Sequence, residues 1–155
     1  MDFEHHFAVT VQWTGNLGTG TSGYRDYSRD HIVSSKGNPD IVGSSDRAFR
    51  GTPERWNPEQ LMVAALSQCH LLSYLHAATR NGIVVTDYED DAIGTMVQTP
   101  DGGGHFTSVT LRPVVTISSG DPDIALAIHK EASEQCFIKA SVNFPVGHEA
   151  RIVAT

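Results

Sequence analysis

An α+β domain, with mostly antiparallel sheets packed around two long helices in the order ββ-α-ββ-α-β, is the architecture this sequence predicts. Three observations predict it. The run from Asn57 to about Arg80 carries helix start and stop signals and no charged side chain between Glu59 and Arg80. A second helical pattern opens at "GDPD", with Asp and Pro at its start. Around both lie short runs of strand alternation broken by Gly, Pro and Asn. The length, 155 residues, suits one domain over residues 1–155 and is enough for a stable core.

The elements follow in chain order. "FAVTVQW" (Phe7 to Trp13) alternates apolar and polar residues and predicts a strand. "TGNLGTGTSG" turns the chain, and "YRDYSRDHIV" (Tyr24 to Val33) predicts a second strand. "SSKGNPDIVGSSDRAFRGTPERW" carries Gly, Ser, Asp and Pro and predicts a long loop, a kind that is often functional. "NPEQ" then puts Asn57 at an N-cap, Pro58 at the first helical position and Glu59 in the first turn. Asn81 and Gly82 are the stop. Apolar on nearly every side, this helix is expected to lie buried at the centre of a soluble core. Gln60, Gln68, His70 and His76 argue against a membrane span. Two strand-like runs flank "PDGGG" as a hairpin, and Ile124, Ala127, Ile128, Ala132 and Cys136 give the second helix its period. "ARIVAT" closes the chain as a strand. There is no internal repeat.

Composition narrows the function. At 39% apolar and 19% charged residues the chain is an ordinary globular one. A net charge of -7 without any Lys/Arg run argues against a nucleic-acid or anionic-membrane partner. The N-terminus has early acidic residues and no apolar segment, so no signal peptide is expected, and the reducing cytoplasm is the expected compartment. The two cysteines, 67 positions apart, match no zinc or disulfide-scaffold spacing.

Cys69, in "SQCHLLSYLHAA", is either a small apolar filler or a thiol kept for chemistry. Its helical neighbours Ala65, Leu66, Leu72 and Ser73 carry no charge, and a mid-helix position is far from the positive end of the helix dipole. A reactive Cys69 therefore requires a cation from another segment. Strand period puts Arg25, Tyr27, Arg29 and His31 on one face, either a solvated strand or the wall of a polar site. The loop "DRAFRG" offers Arg47 and Arg50, for which plain surface exposure is the competing reading. Glu59 serves the helix dipole in its first turn. It lies about 15 Å along the axis from Cys69, so the two share a site only through a long bridging side chain or a second copy of the helix. The second option implies a dimer with this helix at its centre.

Other signals are weak. "GTGTSG" lies between strands, with no helix N-terminus to receive phosphate. The eight histidines include no H-E-x-x-H, and no C-x-x-C occurs, so nothing argues for a metal. His70 points about 100° away from Cys69 around the helix, and His76 lies about 10 Å off along it.

"NPEQLMVAALSQCHLLSYLHAA" resembles the central-helix signature of the OsmC/Ohr family of organic hydroperoxide reductases, an N-P-E-[EQ]-L start followed by a small-residue run ending in Ala/Ser-x-Cys. "CFIKASV" at Cys136 resembles the family's second motif, Cys-x-[IV]-x-x-[AS], and the cysteine spacing is typical of the family. The resemblance runs from Trp13 to the C-terminus. It implies the OsmC-like fold as an intertwined homodimer, and a thiol peroxidase that reduces organic hydroperoxides to alcohols. It implies Cys69 as peroxidatic cysteine, Cys136 as resolving cysteine, and Glu59 as the carboxylate that orients a catalytic arginine. For that arginine, Arg29 and Arg50 rank first and Arg47 third, because "RAFRG" resembles an Arg-Phe-x-Gly loop with one residue inserted. No bound cofactor is implied; an external dithiol, such as a lipoyl group, would reopen the Cys69–Cys136 disulfide. Two rival functions remain open on the residues alone: a non-catalytic dimer that binds an apolar small molecule, and a hydrolase pairing Cys69 with His31.

Overall fold

The computed structural model describes residues 1–155. The chain forms two compact units, Met1–Leu61 and Met62–Thr155. In the first, β1 (Thr10–Trp13), β2 (His31–Ser34) and β3 (Ile41–Gly43) make an antiparallel sheet in the order β1-β2-β3. The expected strand over Tyr24–Val33 is therefore corrected to His31–Ser34. Local hydrogen bonds win over the ladder in the residues before it. Asp26 N–H donates to Gly23 O at 3.0 Å and Asn16 Oδ1 takes the N–H groups of Gly18 and Gly20, so beyond β2 the pairing continues only as an isolated Asn16–Tyr27 bridge, with Ser28 N–H on Gly15 O at 2.9 Å. Arg25, Tyr27, Arg29 and His31 do not form one strand face. Likewise the first strand is shorter than Phe7–Trp13.

The expected loop holds two short elements, β3 and a 3-10 turn at Arg47–Phe49. Asp46 caps that turn by accepting Ala48 N–H at 2.8 Å. The hydrophobic residues that are fully buried all fall in the second unit. Phe7, Val9, Val11 and Trp13 stay exposed.

Helix α1 (Pro58–Arg80) has the predicted ends. Asn57 Oδ1 accepts Gln60 N–H at 2.8 Å while Gln60 Oε1 accepts Asn57 N–H at 3.1 Å, a reciprocal capping box. At the other end Gly82 has φ +68°, a conformation that favours glycine, and lets Ile83 N–H close on Ala78 O at 3.0 Å. The expectation of burial on all sides is corrected. Leu66, His70, Tyr74, Ala77 and Ala78 form a buried stripe, while Met62, Leu72 and Leu75 are exposed, Leu72 at 65%.

The expected hairpin is present, bent at one level. One run is β4 (Val84–Asp90) and β5 (Ile93–Gln98); the other is β6 (Gly104–Leu111) and β7 (Pro113–Ser119). β5 pairs with β6 and β4 with β7. Asp90 Oδ1 accepts Arg112 N–H at 2.6 Å and Arg112 Nε donates to Asp91 O at 2.7 Å, which fixes the bend. At the tip, Thr99 N–H donates to Gly103 O at 2.9 Å.

Helix α2 (Pro122–Glu134) starts on Asp121, whose carboxylate accepts Asp123 N–H at 2.8 Å. It ends before Cys136, which the sequence placed within its period. The C-terminal run supplies β8 (Val146–His148) and β9 (Arg151–Ala154), parallel to β6 and β7 respectively. The result is two three-stranded sheets, β4-β7-β9 and β5-β6-β8. Tyr74, Ala78, Ile117, Ile128 and Ala132 centre one core cluster, and Leu66, Val109 and Leu111 the other. α1 lies tight on β5: a Cβ on Gly94 would come within 2.6 Å of Val63 Cγ2.

The capping box makes a checkable demand. Asn57→Ala should lower unfolding free energy by about 1 kcal/mol in urea titrations without a change in slope. An unchanged midpoint would mean that the cap contributes nothing.

Candidate functional site

Cys69 sits in the middle of α1, half-buried, on a different side of the helix from the buried stripe. Cys136 lies just past the end of α2 and is 3% exposed. Both thiols are free, and the fold makes them neighbours, close enough for Cys69 to act on the ionisation of Cys136. Burial pushes the Cys136 thiol above its ordinary pKa, and the neighbouring Cys69 pushes it the same way. Backbone N–H groups of Lys139 and Ile138 act in the opposite sense, the Lys139 N–H standing 3.4 Å from Sγ. These donors come from the tight turn that leads into a 3-10 segment at Lys139–Ser141.

A narrow cavity opens beside Cys136. Its wall includes Leu66, His70, Ser133, Lys139 and His148. Lys139 Nζ donates to Ser133 Oγ at 2.6 Å, so an ammonium is fixed at this wall. Behind it lies a cluster of imidazoles that the sequence did not single out as a group. His70 Nε2 and His129 Nδ1 are 3.0 Å apart, with ring planes within 6° of each other. Their ring centroids are 5.3 Å apart, so the rings meet nitrogen to nitrogen and share one hydrogen bond. His148 approaches both, with centroids 5.6 Å from His70 and 5.8 Å from His129. Tyr74 packs on His129 at 4.1 Å and donates its hydroxyl to Ala125 O at 2.8 Å.

Burial, then the neighbouring His148 and Lys139, hold His70 down to a pKa of about 4, with Asp90 opposing them. Burial and the two neighbouring imidazoles hold His129 at about 3. His148 is lowered as well, by burial and by Lys139. The three rings are therefore neutral at pH 7. The other ring nitrogen of His129, Nε2, is buried without a partner. No group of three or more His, Cys, Asp or Glu side chains is arranged to hold a metal ion. His129 was legible in one respect: it shares the buried face of α2 with Ala125, Ile128 and Ala132, where a polar ring needs a polar partner.

The remaining predicted residues belong to the first unit. Glu59 stands in the first turn of α1, and its buried Oε2 has no hydrogen-bond partner. Arg29 is engaged locally. It donates to Tyr24 O and Tyr27 O, each at 2.8 Å, and its guanidinium lies 4.4 and 4.0 Å from the two tyrosine ring centroids. Arg50 is exposed and ends the 3-10 turn with φ 63°, and Arg47 opens the same turn, also exposed. None of the three donates to Glu59 Oε2. An arginine that the sequence reading did not single out, Arg55, pairs with Asp30 at 3.4 Å and donates to His31 O at 3.3 Å. It tethers the segment before α1 to β2. His31 directs Nδ1 at Arg29 O, 2.9 Å away.

Comparison with known proteins gives a consistent picture. The family model for OsmC-like proteins matches residues 51–150. The uncharacterized protein YmaD of Bacillus subtilis is 24% identical over 146 residues, which cover 90% of this chain and 87% of that protein. The structure of an OsmC-like protein of unknown function from Vibrio cholerae is similar with a TM-score of 0.81 and 29% identity, covering 95% of this chain and 99% of that one. The organic hydroperoxide resistance protein OhrB of Bacillus subtilis has a TM-score of 0.59 at 21% identity, over 95% of this chain and 98% of its own. At that identity the likeness is one of fold.

The buried imidazoles set a pH dependence. Unfolded, each ring takes a proton below about pH 6.5; folded, His70 and His129 resist it until about 4 and 3. Stability is thus complete above pH 6.5 and is lost as pH falls toward 4. The slope is about 1.4 kcal/mol per pH unit for each ring. Urea titrations between pH 7.5 and 5 should show this fall, with a shallower slope in His129→Leu; equal stability at both pH values would contradict the burial of neutral rings.

Proposed function

The chain belongs to the OsmC-like protein family, and on that premise we propose that it is a thiol-dependent peroxidase acting on organic hydroperoxides. The observation that supports this reading is that Cys69 and Cys136, 67 positions apart in sequence, are free thiols and neighbours in the fold. Two reduced thiols in contact are the arrangement needed to form, and then reopen, a disulfide. The organic hydroperoxide resistance proteins among the proteins of similar fold agree with a redox role.

The cycle has three steps. Cys69 thiolate attacks the distal peroxide oxygen; the S–O bond forms, the O–O bond breaks, and the alkoxide leaves as the alcohol after taking a proton. Cys136 then attacks the Cys69 sulfenic acid, forming the disulfide and releasing water. An external dithiol, a lipoyl group for example, reduces the disulfide and is itself oxidised. An arginine guanidinium beside Cys69 would stabilise both thiolate and alkoxide, with Glu59 holding it by a bidentate contact. The partnerless, buried Oε2 of Glu59 supports that role. Arg29 and Arg50 are the first candidates, with Arg47 in reserve.

We further propose a homodimer. Met62, Leu72 and Leu75 are all exposed on helix α1, which carries no charge between Glu59 and Arg80, an apolar face that a second copy could cover. A second copy covering these residues would also bring a second set of arginines. A reducing compartment such as the cytoplasm would keep both thiols ready.

Cys69→Ser should abolish consumption of cumene or fatty-acid hydroperoxide, while Cys136→Ser should still consume one equivalent and stop. Mass spectrometry under non-reducing conditions should find one Cys69–Cys136 disulfide per peroxide in the wild type. Undiminished turnover in Cys69→Ser would end the peroxidase reading. Light scattering should give twice the chain mass of 16.8 kDa.

A further inference from the structure

The imidazole cluster is not used by the cycle just described, yet it borders the second of its two thiols. Deprotonation of Cys136 is the chemical difficulty in the resolving step, because burial and the adjacent Cys69 both favour the thiol. We propose that His148 takes the Cys136 proton as that thiol attacks oxidised Cys69, with the hydrogen-bonded His70–His129 pair fixing the rings behind it. The proposal rests on the two-cysteine cycle above.

Elimination among the polar groups of the cavity leads to His148. The Lys139 ammonium has only donors, and Ser133 Oγ is already engaged by it at 2.6 Å. His70 commits Nε2 to His129, 3.0 Å away, and is almost fully buried, so a proton left there has no exit. His148 lines the same cavity as Cys136 and also reaches solvent. Lys139 helps to keep it unprotonated and hence able to accept. From the neighbouring elements, the Tyr74 hydroxyl is occupied with Ala125 O, and the charge of Asp90 acts on His70 against that of Lys139.

The step balances. The Cys136 Sγ proton passes to a His148 ring nitrogen, and the thiolate electron pair forms the S–S bond with Cys69. The Cys69 S–O bond breaks, and the departing hydroxide takes the proton back from the imidazolium and leaves as water. One sulfur is oxidised and the other reduced, both ending in the disulfide.

Two measurements on the full chain test this. In the first, 5,5′-dithiobis(2-nitrobenzoate) converts Cys69 to a mixed disulfide, and Cys136 attack releases a second thionitrobenzoate, with no peroxide involved. In His148→Gln that second release should slow by at least about tenfold at pH 7, and its rate should climb with pH through the range where the thiol itself ionises. Added imidazole should restore much of the rate in His148→Ala. Release in His148→Gln within twofold of the wild type, with the same pH profile, would overturn the proposal. In the second, dimedone traps the Cys69 sulfenic acid after one equivalent of cumene hydroperoxide; it should persist longer in His148→Gln than in the wild type. If no sulfenic acid forms in the wild type while the thionitrobenzoate release still depends on His148, the peroxidase reading fails and the role of His148 at Cys136 stands.

Discussion

The polar seam between α1 and α2 is the constraint on which the second unit depends. A buried imidazole or hydroxyl without a partner costs on the order of 1–3 kcal/mol, so each must find one. Tyr74 finds Ala125 O, and His70 finds His129. These contacts admit one register between the helices, since a slide of one turn would strand both side chains in apolar surroundings. The thiols follow from that register. Cys69 precedes His70 on α1, and Cys136 leaves α2 soon after His129. The seam that satisfies the buried polar groups also sets the distance between the two sulfurs.

The same helix explains why a sequence with so little charge between Glu59 and Arg80 is not buried on every side. Leu66, His70, Tyr74 and Ala78 recur at intervals of four and face the core, with Ala77 beside them. Val63 and Gly94 show how closely the helix lies on β5. Met62, Leu72 and Leu75 point elsewhere, to water in the isolated chain. Hydropathy reports that a face is apolar and not what covers it. A face meant for a second protein surface and a face meant for the chain's own core look alike in one sequence.

Much of the fold was legible because local chemistry decided it. Asn57, Pro58 and Gln60 fix one end of α1, and Gly82, free to take a positive φ, fixes the other. Asp121 and Pro122 do the same for α2. Where side chains compete with backbone pairing, periodicity misled: Arg29 bonds Tyr24 O and Tyr27 O, Ser28 Oγ takes Asp30 N–H, and Tyr24–Asp30 keeps only a single bridge at Tyr27 although its residue types alternate as a strand would. The site divides in the same way. Cys69, Cys136 and Glu59 stand in recognisable motifs, whereas His129, His148 and Lys139 gain meaning only from contacts made across the fold. The arginines were the least legible, since a guanidinium can serve a nearby carbonyl, as in Arg29, as readily as a thiolate.

The opposed influences on Cys136 give the proposed cycle an order. Two equally ionised thiols in contact would compete for the peroxide, and either might be oxidised first. Burial and the neighbouring sulfur keep Cys136 protonated and therefore poorly nucleophilic. The N–H groups of Lys139 and Ile138 nonetheless stand ready to receive a developing negative charge at its sulfur. A thiol held in this way is inert in the resting protein and reactive once a base removes its proton. Neutral imidazoles suit that need: burial keeps them unprotonated, and for His70 and His148 the neighbouring ammonium adds to it without itself accepting a proton. The absence of charge around Cys69 on its own helix leaves the buried helix face to packing and to the imidazole pair, and any cation that the proposed cycle needs at Cys69 would have to come from another segment.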